Sequence, residues 1–443
     1  MQILDSFRNI FKIQELRKRI FVTLGLLVVF RFGSHIALPG VNADAIKALG
    51  EQMQDKLGGL WSMLQIFSGG ALGNLALFSL GIMPYITASI IMQLMTKVSP
   101  TLEAIVKEGP SGQRKISQYT RYLAIPICIV QSFFAVNALV SLQTRDGMQI
   151  LHSVGWGARL EMVIGLMAGA LFIMWLGEQI TEHGVGNGAS LLIMAGIVAR
   201  LPSVTMTLIG KARQDAVSGE SLIIVGALYL AMIGAVVFVT QAQRRIPVQH
   251  AKHFRGRRVM MGSRNYMPLR VNTAGVMPVI FASSLLVIPQ MLSQIKPLAW
   301  MGGFITPGTF LYASFYAVMI FFFSYFWTYL FFQPIEMANN LKEYGSFIPG
   351  IRPGENTANY LNTILSRITL CGAAFLTLIA LMPDMVSAGF GGELQRQQLS
   401  FLGGTGILIV VGVALDIIQK IESHLLMHHY EGFVGPGGIR GRR

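Results

Sequence analysis

The chain has 443 residues, of which 53% are hydrophobic and only 13% charged, and its formal net charge is +14. A soluble globular protein carries about 25% charged residues, so this composition excludes an ordinary soluble domain. In a soluble protein such a positive balance would suggest nucleic acid. In a membrane chain Lys and Arg gather on the cytoplasmic side, so their positions matter more than their sum.

In chain order, the N-terminal residues are too polar for a cleavable signal peptide. Phe7, Ile10, Phe11 and Leu16 recur at helical spacing among Arg8, Lys12, Arg17, Lys18 and Arg19, which predicts an interfacial helix over 1–19. A bilayer-spanning helix needs about 20 mostly apolar residues. On that measure about ten spans are predicted, at 20–36, 75–95, 119–142, 159–176, 188–209, 222–239, 271–292, 309–332, 368–385 and 401–418. Residues 75–95, 271–292, 310–332 and 401–415 contain no Asp, Glu, Lys or Arg. The bias of Lys and Arg toward alternate connections places both termini in the cytoplasm. The apolar stretch 57–72 is too short to cross separately and carries Gly58, Gly59, Gly69 and Gly70, which predicts a re-entrant helix on the outer side.

An internal repeat stands out. Gly81-Ile82-Met83-Pro84-Tyr85-Ile86-Thr87-Ala88-Ser89 matches Gly275-Val276-Met277-Pro278-Val279-Ile280-Phe281-Ala282-Ser283. The copies lie in the second and seventh spans, an odd number apart, so they cross the bilayer in opposite directions, as in inverted-topology repeats. Pro84 and Pro278 are expected to remove a backbone donor within each span, and the freed carbonyls then need the bundle interior and not lipid.

Polar residues interrupt otherwise apolar helices at Gln93, Gln131 and Asn272, where they suit bonding across helix interfaces. The connection 243–270 holds eight Lys or Arg and no acid, a pattern suited to neutralising phosphates. Arg352 sits in Gly350-Ile351-Arg352-Pro353-Gly354-Glu355, where glycine and proline make a stiff turn. Cys128 and Cys371 lie in apolar blocks and read as small hydrophobes. A secondary transporter coupled to protons or sodium would need a carboxylate near mid-span, whereas Glu178, Asp384 and Asp416 lie toward helix ends. A membrane enzyme is disfavoured as well, because His183, His424, His428 and His429 fall in cytoplasmic segments and no HExxH or Ser/His/Asp set crosses the bilayer.

Three segments carry a family resemblance: LFSLGIMPYITASIIMQL (77–94), MWLGEQITEHGVGNGASLLI (174–193) and PGIRPGENTANYL (349–361). With QYTRY, VNTAGVMPVIFASS and FLGGTGILIVVGVALD in matching order, the chain resembles the SecY/Sec61-alpha family, the pore subunits of the Sec protein translocon. The resemblance implies an all-α integral membrane protein of ten transmembrane helices, in two inverted five-helix halves around an hourglass pore, with a lateral gate between them. It implies a cytoplasmic N-terminal helix at 1–19, an N-terminal half at 20–210 and a C-terminal half at 211–419. Cytoplasmic loops at 240–270 and 334–367 and a cytoplasmic tail at 420–443 complete the division.

By motif, Ile82, Ile86, Ala189, Ile193, Ile280 and Ile409 match the family's apolar pore ring, a hydrophobic gate able to exclude water when empty. Ala189 departs from the bulky aliphatic pattern. A plug at about 57–73 would include Leu60, Met63, Ile66, Phe67, Ser68, Gly69 and Gly70. Gln93, Gln131 and Asn272 fall in the lateral-gate helices. Arg257, Arg258 and Arg352 match positions that dock SecA and ribosomes. The implied function is a channel moving unfolded, signal-bearing polypeptides across the bacterial cytoplasmic membrane and releasing hydrophobic segments into the phospholipid bilayer. The implied partners are SecE, SecG, the SecA ATPase, the ribosome, preproteins and nascent membrane proteins. No catalytic residue, cofactor or metal is implied; the energy comes from outside the chain.

Overall fold

The computed structural model describes residues 13–41, 65, 68–141, 155–213, 219–250, 253–255, 258–260, 264–292, 309–389 and 404–433. The chain divides into two compact units, Met1–Thr207 with Val413–Arg443, and Leu208–Gly412.

The first unit opens with helix α1 (Gln14–Gly33). After a one-turn 3-10 helix (Ala71–Asn74) come α2 (Met83–Val98), α3 (Pro100–Lys107), α4 (Pro110–Ser141), α5 (Trp156–His183) and most of α6 (Gly188–Arg213). Helix α4 packs on both α2 and α5, and α1 lies against α5. Leu38, Val136, Met162 and Leu166 form one buried cluster of this unit. Close packing here depends on an absent side chain: a Cβ on Gly169 of α5 would collide with the carbonyl of Leu77.

The second unit holds α7 (Gly219–Gln241), strands β1 (Gln243–His250), β2 (His253–Arg255), β3 (Arg258–Met260) and β4 (Arg264–Arg270), then α8 (Met277–Leu292) and α9 (Phe310–Phe331). It continues through α10 (Pro334–Glu343), β5 (Ser346–Phe347), α11 (Glu355–Gly389) and the start of α12 (Thr405–Phe433), whose later part belongs to the first unit. Helix α9 packs on both α8 and α11. Its Trp327 is 1% exposed and meets Phe281 of α8 edge-on at 5.2 Å between ring centroids.

The cytoplasmic loops of the sequence reading are not bare connections. β1 pairs antiparallel with β4 and with β5, in the order β4-β1-β5. Residues Ile246, Val248, Met267 and Leu269 alternate along one face of this hairpin. Ile246 and Leu269 cluster with Ile348, Leu361 and Leu365, so the sheet has a core shared with α11. Two prolines respect the ladder. Pro247 pairs with Tyr266, and Pro268 with Arg245. A hydrogen-bonded antiparallel pair needs both residues to donate. Both prolines therefore occupy non-bonded pairs, and these have the same parity, so neither interrupts the ladder.

Among the described residues six helical stretches are long and apolar enough to cross a membrane: Pro110–Asn137, Trp156–His183, Gly188–Thr207, Ile223–Gln241, Phe310–Glu343 and Glu355–Pro383. The second and seventh expected spans form shorter helices of 16 residues each, because their first residues fold as a bend. Several helices instead overrun the apolar blocks; α11 begins at Glu355, well before residue 368. Hydropathy marks the part of a helix in hydrocarbon, and the helix itself continues until its backbone is stopped.

Candidate channel-lining and docking sites

The duplicated motif is a backbone motif. Gly81 has φ 56° and Gly275 φ 63°, both left-handed conformations that favour glycine. The helix begins two residues after each glycine, at Met83 and Met277, so Pro84 and Pro278 are the second residues of α2 and α8. This corrects the expectation that each proline frees a carbonyl within its span. In the first turn the amide has no intrahelical acceptor, so proline costs nothing there and its fixed φ favours the start. The first-turn bonds repeat as well: Ile86 N–H donates to the Ile82 carbonyl at 3.1 Å, and Ile280 N–H to the Val276 carbonyl at 3.3 Å. Ile86 and Ile280 thus hold the same position on two identically built helix starts.

In the first unit, Ile82 is 2% exposed and Ile193 5%, while Ile86 and Ala189 are half-buried. A Cβ on Gly177 would lie 3.5 Å from Ile82 Cδ1, 3.5 Å from Leu192 Cδ1 and 3.6 Å from the Ala189 amide nitrogen, so Ile82, Leu192 and the Ala189 backbone all border this glycine. In the second unit, Ile280 and Ile409 are buried, and Gly412, one turn after Ile409, receives Val276. A Cβ on Gly372 of α11 would sit 2.6 Å from the Val271 carbonyl and 3.8 Å from Asn272 Cα, so α11 braces the bend before α8.

The expected gate residues differ in their bonding. Gln93 Nε2 donates to Ser89 Oγ at 3.2 Å on its own helix, so this amide group engages locally. Gln131 on α4 and Asn272 in the bend are half-buried. Of the expected plug residues, Leu60, Met63, Ile66 and Phe67 lie outside the described residues. Ser68, Gly69 and Gly70 form a tight turn, in which Gly70 N–H donates to the Gln65 carbonyl at 2.9 Å. Ser68 Oγ accepts from Leu72 N–H at 3.3 Å, and Ser79 Oγ donates to the Ala71 and Ala76 carbonyls. Downstream, an antiparallel bridge between Ala37 and Ala76 fastens the segment to the end of α1: Leu38 N–H donates to Leu75 O at 3.0 Å, and Leu77 N–H to Ile36 O at 2.8 Å.

On the docking side, Arg257 lies outside the described residues and Arg258 opens β3. Arg352 is exposed on a turn whose Gly350 and Gly354 have φ 83° and 106°. The Arg352 carbonyl accepts from Thr357 Oγ1 at 2.9 Å, and Thr357 is buried, so the backbone of this turn is tied to the first turn of α11 while the guanidinium stays in solvent. Arg244, Arg245 and Arg270 are exposed on the hairpin. The sequence reading missed Thr23, whose Oγ1 accepts from Val185 N–H at 3.0 Å and donates to the Arg19 carbonyl.

The model of the SecY family matches residues 76–418 of the chain. A curated SecY protein translocase subunit from Thermotoga maritima is 41% identical over 447 residues, covering 99% of this chain and all of the relative. The chain belongs to the SecY family. Another SecY-family relative, from Streptomyces coelicolor, is 46% identical over 445 residues, covering 98% of this chain and 100% of the relative. Among solved structures, one described as a protein-conducting channel aligns with TM-score 0.60 at 18% identity, covering 93% of both chains. Sec61 in a canine ribosome–channel complex aligns with TM-score 0.56 at 16% identity, again over 93% of each. At such identities the structural likeness speaks for the fold, and the curated relatives carry the family. Membership fits the composition and apolar helices of a multi-pass membrane protein.

Proposed function

We propose that this chain is the pore-forming subunit of a bacterial protein-export channel, passing unfolded signal-bearing polypeptides across the cytoplasmic membrane and releasing hydrophobic segments into the bilayer. The observation that carries the reading is near full-length identity of 41–46% to curated translocase subunits. The duplicated helix start supports it, since two copies of one backbone motif present Ile86 and Ile280 equivalently. In this reading Ile82, Ile86, Ile193, Ile280 and Ile409 form the apolar constriction, with Ala189 a gap in its bulk, and the chain itself is not an enzyme. A dry apolar waist resists ions and offers a moving chain no fixed hydrogen-bonding partner.

Residues about 57–73 are the plug, and Gln93, Gln131 and Asn272 line the lateral gate, with Gln93 partly committed to Ser89. Arg257, Arg258, Arg352 and the exposed hairpin arginines face SecA and the ribosome, whose RNA phosphates attract clustered cations. SecE and SecG complete the complex, and both termini lie in the cytoplasm. Co-reconstitution with SecE and SecA, followed by protease protection of a preprotein, tests the proposal. ATP-dependent protection is the expected result. Its absence in vesicles containing the intact complex refutes the reading.

A further inference from the structure

Two arginines converge on the turn at Gly69–Gly70, which lies at the downstream end of the proposed plug. Arg31, in the last turn of α1, donates from Nη1 to the Gly69 carbonyl at 3.3 Å. Arg200, on α6, covers the next residue: a Cβ on Gly70 would lie 3.3 Å from Arg200 Cδ and 3.4 Å from its Nε. Gly69 itself is wedged between the same two helices, and a Cβ there would sit 3.1 Å from Gly196 Cα of α6 and 3.1 Å from the Phe30 ring of α1. Both glycines have positive φ, 64° and 88°. The turn is therefore a shape that glycine alone adopts cheaply, seated in a slot that only glycine fits.

Arginine inside an apolar helix is expensive and tends to mark a specific partner. Arg31 lies in the last turn of α1 and Arg200 at the middle of α6, and they reach the adjacent residues Gly69 and Gly70. The two attachments of the segment differ in kind. The Ala37–Ala76 bridge is made of backbone bonds alone. At Gly69, the bond comes from a side chain. Outward movement of the turn at residues 68–70 breaks the Arg31 bond and withdraws Gly70 from Arg200, whereas the Ala37–Ala76 bridge can stay closed.

We propose that Arg31 and Arg200 act as a two-armed clip on Gly69–Gly70, positioning residues that hold this segment in place and set the threshold at which it leaves. The role as plug latch rests on the export-channel reading, but the clip is a property of the first unit and is testable without substrate. Arg31 supplies the bond. Arg200 supplies packing across the face of the turn.

The test is the rate at which a membrane-impermeant maleimide modifies Cys introduced at Ser68→Cys, in the full complex in vesicles, on a Cys128→Ser, Cys371→Ser background. Ser68 is 2% exposed, so the parent is expected to label slowly. A hydrogen bond from a charged donor is worth about 1.5–3 kcal/mol, so Arg31→Ala should speed labelling by roughly tenfold to 150-fold. Arg31→Lys keeps the charge and a donor and should fall between. If Arg31→Ala, shown by size-exclusion to remain assembled, labels at the parental rate, the clip is refuted. Should that variant not assemble, Arg31→Lys decides: labelling no faster than parent and equal to a control substitution at exposed Arg114 of α4 overturns the proposal.

A double-mutant cycle addresses the second arm. Gly70→Ala adds both φ strain and contact with Arg200; the contact component should vanish in the Arg200→Ala background, leaving a smaller increase in labelling. Equal increases in both backgrounds refute the Arg200 arm. Failure of the parent complex to protect a preprotein would refute the channel reading while leaving the labelling result to stand on its own.

Discussion

The hairpin platform at β1, β4 and β5 should fold as a local unit that, apart from the start of α11, can be opened without disturbing helices α4, α5 and α9. Ile246 is 1% exposed and touches a cluster with Leu269, Ile348, Leu361 and Leu365. Replacing a buried Ile with Ala removes three carbons and leaves a cavity, at a cost of about 2–5 kcal/mol. Leu269, itself 1% exposed, faces the same cluster from β4, so the loss falls on both strands. If the platform opens independently of the helices, Ile246→Ala should raise hydrogen exchange of the ladder amides by about 30-fold or more, at 1.4 kcal/mol per decade. Exchange in α4, α5 and α9 should stay at parental rates. Mass spectrometry resolved by peptide reads both at once. Unchanged exchange in 264–270 would refute the shared core, and parallel acceleration in α9 would refute the local unit.

Other expectations follow from single contacts. Gly372→Ala places a methyl 2.6 Å from the Val271 carbonyl and should cost about 1–3 kcal/mol by overpacking, seen as a lower melting temperature of the purified complex. Arg352→Glu should sharply reduce SecA-driven export while leaving the melting temperature unchanged, because the turn is held by the Arg352 carbonyl and not by its side chain; vesicle assays and scanning calorimetry measure the two. Gln131→Leu and Asn272→Leu should bias the gate closed, so export of substrates with weakly hydrophobic signals should fall before that of strongly hydrophobic ones. Equal loss for both classes, in paired translocation assays, would contradict that expectation.

The apolar blocks were legible because a charge-free run of 20 residues has few destinations in a cell. The repeat was legible too, since Gly81 and Pro84 recur at Gly275 and Pro278 in unbroken register. What those prolines do was misread: periodicity places residues in an apolar block, and only backbone geometry shows that each block begins with a glycine bend. The hairpin was missed because its four alternating apolar residues, Ile246, Val248, Met267 and Leu269, are diluted among arginines. Its third strand, β5, comes from far along the chain. Spacing also carries no information about contacts such as Arg31 with Gly69, 38 residues apart, or Thr23 with Val185, 162 apart.

In the proposed channel, Ile86 and Ile280 occupy matching positions on two repeated helix starts and form part of the apolar constriction. Single-channel recording in planar bilayers tests it directly, using the complex with Ile86→Asn or Ile280→Asn. An amide at an apolar constriction should admit water, so each variant is expected to conduct ions at rest above the parent while still translocating preprotein. Assembled complexes of both variants that conduct no more than the parent would contradict it.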